Sequence, residues 1–315
     1  MTLPQGAPRK PRALREGSKV AVFAPASPAD QLEVTAGLAE LRRLGYEFTP
    51  VQFPSSEGYF AGSTAYRLDA FIKAARHPEI AGLFALRGGY GATYLLDHNP
   101  SAQLQEPKCV IGFSDLTSLQ IYLWQKCGWV TFHGPMVTAG LNRGADDSHG
   151  YDEDSFLQAV ANPNSGWEIP LAGKSLARGV AEGRLLGGCL TLLQTTLGTP
   201  WELDTTDAIL VLEDRAVRPY QVDRTLMHLK QAGKLKSVKG VILGEFPDSA
   251  PSVKGSPTIA EVCERLLGPL NIPIVFGAAI GHTKRPMLTL PLGVNARLIA
   301  SGEGRLEILE PAVVQ

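Results

Sequence analysis

Residues 108–120 read KCVIGFSDLTSLQ, and the fold turns on how this stretch is parsed. Cys109 to Gly112 is a short unbroken apolar run, the pattern of a strand buried on both faces. Ser114-Asp115 follows at once, and an amphipathic segment runs from Leu116 to Lys126. A strand that passes directly into a helix is one step of the alternation that builds a mostly parallel sheet. The turn also carries chemistry. A serine there has its hydroxyl pushed out of the sheet edge, beside the unpaired N–H groups of the first helical turn, where a developing oxyanion is stabilised. That geometry is a nucleophile elbow, although Leu116 replaces the usual glycine two residues after the serine. Ser-Asp before a helix is also an ordinary N-cap, so this stretch alone leaves both readings open.

The alternation continues on both sides. Residues 19–26 (KVAVFAPA) read as a buried strand, and Asp30 caps a helix ending near Gly45. Residues 48–53 read as a short strand, 64–76 as a helix and 80–86 as a strand ending in Arg87-Gly88-Gly89-Tyr90-Gly91. A further strand follows at 129–132. Ligands of such sheets bind outside the carboxyl ends of the strands, where both Gly88-Gly89 and Ser114 fall. Residues 140–177 are rich in Gly, Asn, Asp, Ser and Pro around one helix at 152–162, and read as an inter-domain connection. A second α/β unit then brings strands at 208–212, 238–246 and 273–280, helices between them, and a hairpin-like region at 287–309. The expected division is a flexible basic tail (1–17), an N-terminal nucleophile domain (18–139), the connection (140–177) and a C-terminal domain (178–315).

With 315 residues the chain has room for two domains, and 44% hydrophobic residues predict a packed core. A formal net charge of −1 argues against nucleic acid or an anionic membrane as partner. Four scattered cysteines, Cys109, Cys127, Cys189 and Cys263, have neither zinc-site nor disulfide-framework spacing. The N-terminal stretch is basic and Pro-rich without an apolar h-region, and no membrane span is read. A soluble, cytoplasmic protein is expected.

An activated serine needs a base, and the base needs an orienting acid. Of six histidines, His282 is best placed, after the apolar run IVFGAAIG; His133, ending another strand, is the runner-up. Glu213 ends the run AILVLE, where a carboxylate is held rigidly and desolvated; a salt bridge to Arg215 or Arg224 is its structural alternative. Asp214 and Asp115 compete for the same role. The loop at 87–91 lacks the spacing of a phosphate cradle, and suits donation of a backbone N–H to a substrate carbonyl.

Taken together, VAVFAPASP, LRGGYG, IGFSDLTSL, FHGPM, GRLLGGCLTLL with LGTP, LVLEDRAVRPYQVDR and AIGHTKRPMLTLPLG resemble the LD-carboxypeptidase family of serine peptidases, from about Lys19 to Leu309. That family comprises murein tetrapeptide carboxypeptidases and microcin-immunity relatives. The resemblance implies an N-terminal doubly wound α/β domain similar to class I glutamine amidotransferases, with a second C-terminal α/β domain. It implies Ser114 as nucleophile, His282 as base, Glu213 as orienting acid, and the N–H groups of Gly89 and Asp115 as oxyanion hole. It further implies no metal or organic cofactor, a murein peptide or related small peptide as substrate, and a homodimer. Release of a terminal D-alanine requires a cation for the free carboxylate, for which Arg87, Lys284 and Arg285 are candidates. A microcin-immunity-like substrate, an aminoacyl or peptidyl nucleotide, would instead favour an aromatic platform from Trp167 and Trp201. A non-catalytic binding module on the same fold is the reading from another class. Two departures stand out: Cys189 follows Gly187-Gly188 where many members carry asparagine, and the tail before Gly17 lies outside the family pattern.

Overall fold

The computed structural model describes residues 7–49, 56–251 and 253–315. β1 (Lys19–Phe23) is followed by α1 (Gln31–Arg43), and α2 (Thr64–Arg76) leads into β2 (Ile80–Ala85). A single turn, α3 (Thr93–Leu96), precedes β3 (Cys109–Gly112), and α4 (Thr117–Cys127) leads to β4 (Thr131–His133). The four strands pair parallel in chain order. Helix starts are set by short polar caps: the Asp30 carboxylate accepts from Leu32 and Glu33 N–H, and Ser63 accepts from Tyr66 N–H. Of the strand expected over 48–53, residues 50–53 lie outside the described residues; Glu47 forms a parallel bridge to Lys19 beside β1. The chain thus leaves β1 in one direction through α1 and returns past it through α2. Right-handed crossovers then place the two helices on opposite faces. α2, α3 and α4 touch in succession on one face, while α1 is tied to the segment after β4 by the Tyr151 hydroxyl, which donates to Glu40 at 2.7 Å.

The second half differs from its sequence reading in architecture. After α5 (Glu153–Ala161) come β5 (Trp167–Ala177), β6 (Gly179–Cys189), α6 (Leu190–Thr195), β7 (Ala208–Glu213), α7 (Pro219–Gln231), β8 (Gly240–Gly244), α8 (Ile259–Leu267) and β9 (Ile274–Ala278). β10 (Leu290–Leu292), β11 (Asn295–Ala300) and β12 (Glu303–Ile308) close the chain. Seven of these strands form a closed barrel in the order β11-β12-β5-β9-β8-β7-β6. β6 to β9 run parallel and the others antiparallel. β5 lies inside the stretch read as a connection. Trp167, Ile169 and Leu171 are buried while Glu168 and Pro170 are exposed, a two-residue period that the Gly- and Pro-rich composition around it hid.

The expected flexible tail is also different where it is described. Residues 1–6 lie outside the described residues, but from Arg9 onward the segment is stitched to the body. Arg9 bridges Trp129 in parallel, Ala13 N–H donates to Val314 C=O, and Val314 N–H donates to Pro11 C=O, both at 2.8 Å. Leu14 is buried in the core. Proline removes only its own donor, so a Pro-rich strand can still be held through its carbonyls.

β10 does not join the barrel. It pairs antiparallel with β4, Leu290 opposite His133, as fifth strand of the first sheet. One apolar cluster runs from that sheet into the barrel interior, and a second, including Ile121 and Trp124 of α4, fills the layer between the barrel and α6, α7 and α8. The halves therefore share a core, and the facing ends of β3 and β7 are fixed relative to each other.

Candidate active site

β3 is buried throughout and ends at Gly112. Phe113 continues extended, and Ser114 then takes φ 61°, in the left-handed region that a side chain rarely adopts. A 3-10 turn over Ser114–Leu116 runs straight into α4. The strain lifts the half-buried serine hydroxyl off the sheet edge. The loop after β2 lies against it so closely that a Cβ on Gly88 would sit 2.8 Å from both Ser114 Cβ and Oγ, so only glycine fits there. Neither Gly89 N–H nor Asp115 N–H has an intramolecular acceptor among the described residues. Gly89 follows the glycine that lies against Ser114, and Asp115 is the residue after that serine.

The Asp115 side chain holds this arrangement together. It is buried and accepts from Ala92 N–H at 2.7 Å, with a further backbone bond from Gly91. Burial outweighs these bonds and the nearby Arg67, and pushes its carboxyl up to about 6. From the other side the guanidinium of Arg67, itself buried, donates to Gly91 C=O at 2.7 Å and to Pro25 C=O at 2.5 Å. The glycine loop is thus gripped through both its N–H and C=O groups. An arginine within a helix pattern gives no sign of this in the sequence.

Glu213 ends β7 with no exposed surface. One of its oxygens, Oε2, accepts from His282 N–H at 2.9 Å and faces His282 Nδ1 at 2.7 Å. A carboxylate only accepts, so Nδ1 carries the proton and Nε2 is left as a free base. Burial works to raise the Glu213 carboxyl, but the charges and hydrogen bonds of His282, with His133 behind, hold it below the ordinary range. Gly281, at φ 56°, lies where any Cβ would overlap the Glu213 carboxylate. The alternative salt bridges do not form: Arg215 pairs with Asp248, and Arg224 lies over the Tyr220 ring. Asp214, the competing acid, is occupied at the start of α6 by Thr191 N–H and hydroxyl.

The two groups meet at Phe113, whose ring stands edge-on to His282 with centroids 4.9 Å apart. Phe113 and His282 line a cleft of about 300 Å³ with Arg143, Arg215, Asp248 and Lys284. Among the expected cations, only Lys284 lies there, its ammonium 3.6 Å from Asp248. Arg285 instead latches the barrel, pairing with Glu245 and donating to the carbonyls of Ala172 and Gly277. Arg87 donates to Pro28 C=O at 2.8 Å and does not line the cleft. Arg143, in a polar loop, carries no signal of a site in the sequence. Its side chain is exposed in the cleft and has no partner among the described residues. Trp167 is buried in β5, and Trp201 packs edge-on to Tyr122, so neither forms a platform. The exposed rings of Tyr59, Tyr90 and Tyr94 cluster instead around Phe60, beside the glycine loop. Cys189 is buried opposite Glu213, its N–H donating to the Thr117 hydroxyl. Burial and the Glu213 charge push the thiol well above its usual range, so it offers no thiolate.

Comparison with known proteins agrees with this architecture. Models of the LD-carboxypeptidase N-terminal and C-terminal domains match residues 20–134 and 182–298. The chain is 34% identical over 293 residues to a Bacillus subtilis protein named "Probable murein peptide carboxypeptidase", covering 92% of this chain and 91% of that one. It is 29% identical over 272 residues to the murein tetrapeptide carboxypeptidase of Pseudomonas aeruginosa, covering 84% and 88%. The muramoyltetrapeptide carboxypeptidase of Oxalobacter formigenes has a similar structure, with TM-score 0.81, 30% identity and coverage of 94% and 100%. The microcin C7 self immunity protein MccF matches at TM-score 0.86 and 23% identity over 97% and 100%, a likeness of fold alone. The chain belongs to the LD-carboxypeptidase family of peptidases.

Proposed function

We propose that this protein is a serine LD-carboxypeptidase that releases the terminal D-alanine of murein tetrapeptide, acting in the cytoplasm as a homodimer in cell-wall recycling. The observation that carries the reading is the pair of buried Glu213 and half-buried His282 set against Phe113, one residue before a strained serine. His282 Nε2 takes the Ser114 proton, and the alkoxide attacks the amide carbonyl carbon. The N–H groups of Gly89 and Asp115 hold the resulting oxyanion. The intermediate collapses to a Ser114 ester as His282 passes the proton to the departing amine. Water then attacks the ester through the same base and restores the serine. Arg143 and Lys284 are the cations placed to receive the free carboxylate of the substrate. For the microcin-immunity-like alternative, Trp167 and Trp201 do not line the cleft, and an aromatic platform would have to come from the Tyr59, Tyr90 and Tyr94 cluster beside the glycine loop. A mere binding module would have no use for a buried carboxylate that holds a histidine through both its backbone N–H and its ring.

Purified protein incubated with murein tetrapeptide and followed by mass spectrometry is expected to yield tripeptide and D-alanine. Ser114→Ala should fold normally and lose turnover by on the order of a thousandfold or more. Near-normal turnover by that variant, or none by the wild type, would refute the mechanism.

A further inference from the structure

His133 ends β4 beside Gly112, its register partner two residues before Ser114. It has no exposed surface, and neither of its ring nitrogens has a hydrogen-bond partner among the described residues. The second oxygen of Glu213, Oε1, is equally buried and equally unpartnered. These orphans face each other, with His133 Nε2 and Glu213 Oε1 3.8 Å apart. Buried polar atoms of this kind are costly, and a carboxylate oxygen most of all. Closing the gap by about 1 Å would satisfy both.

We propose that His133 is a positioning residue: its Nε2–H donates to Glu213 Oε1 and so registers the barrel-borne Glu213–His282 pair against the sheet that carries Ser114. The inference rests on the peptidase reading and adds a fourth member to that site. His133 comes from the nucleophile sheet, pinned on both sides by β3 and β10, while Glu213 comes from the barrel. A bond between them adds to the tie of Cys189 N–H on the Thr117 hydroxyl, and is the one that reaches the Glu213 carboxylate itself. The ring is suited to donate without taking charge, because burial holds its basicity below the usual range despite Glu213 nearby. A cationic ring there would compete with His282 for the same carboxylate. The titratable groups facing this pair are His282 and, on the barrel side, Asp214 and the Cys189 thiol. From the sheet side the neighbour is the uncharged Phe113 ring, with centroids 6.1 Å from His133.

Two variants and one spectrum test this. His133→Phe keeps the ring volume and removes the donor. It is expected to lower kcat by about ten- to hundredfold with KM changed by less than about twofold. The acid limb of its kcat/KM profile should move to higher pH, because Glu213 freed of a donor pulls harder on the His282 imidazolium. His133→Gln, whose amide reaches the same place, should recover kcat to within about threefold of wild type. A folded Phe variant with wild-type kcat and pH profile, or a Gln variant as slow as Phe, overturns the proposal. Nitrogen-15 NMR of the full protein gives a readout independent of turnover. At neutral pH a neutral ring protonated at Nε2 is expected, and a doubly protonated or Nδ1–H ring overturns the assignment. If no murein peptide is cleaved, the peptidase reading fails, and the spectrum still decides the bond.

Discussion

Ser114 stands on an open sheet and Glu213 on a closed barrel, although the strands that carry them, β3 and β7, are alike in being apolar and wholly buried. The sheet presents its candidate nucleophile by strain: a positive φ at Ser114, backed by a glycine loop held between Asp115 and Arg67. The barrel does the opposite. It keeps the carboxylate of Glu213 dry and holds it with hydrogen bonds from His282. Function and stability should therefore part company on the sheet side and coincide on the barrel side.

The sharpest way to break that contrast is at Glu213. Glu213→Ala strips the buried His133 and the half-buried His282 of their anion and leaves a void, so it should cost about 3–5 kcal/mol of stability along with activity. Urea unfolding that shows a loss below about 1 kcal/mol would place Glu213 with the merely strained groups. A second test uses pH. Asp115 has a carboxyl raised to about 6 by burial. A raised acid stabilises the fold fully below its unfolded value and loses that contribution as pH rises through its folded value. Relative to wild type, Asp115→Asn should therefore gain about 2 kcal/mol between pH 4 and pH 7. Unfolding curves at the two pH values check this, and a constant difference would mean that burial does not perturb the group. The smallest effect is expected at the elbow. Ser114→Gly relieves the left-handed strain and should raise stability by about 0.5–1 kcal/mol while abolishing turnover. A Tm at or below that of wild type would show that the strain is illusory.

Ser114, Glu213 and His282 were legible in the sequence for one shared reason: each follows an apolar run, and the carboxyl ends of buried strands are where such folds place ligands. What was not legible depends on partners distant in the chain. Arg285 reads as a free cation until Glu245 and two carbonyls are seen around it. Arg143 reads as loop polarity until the cleft forms beside it. Arg67 sits in a helix pattern and shows nothing of its carbonyl ligands. Closure of the barrel rests on β6 pairing with β11, Arg184 opposite Asn295, a contact no local period announces. The strap at residues 9–14 is held by main-chain hydrogen bonds, to which composition is blind.

β10 has a practical consequence for anyone dividing the molecule. Although family domains match the two halves separately, the front sheet borrows its last strand from near the C-terminus. A fragment cut after α5 would leave Thr131–His133 with a bare row of amides and carbonyls, a template for sticking to its neighbours. The front half is therefore not a module that can be expressed, swapped or grafted alone; it must travel with the back half's strand.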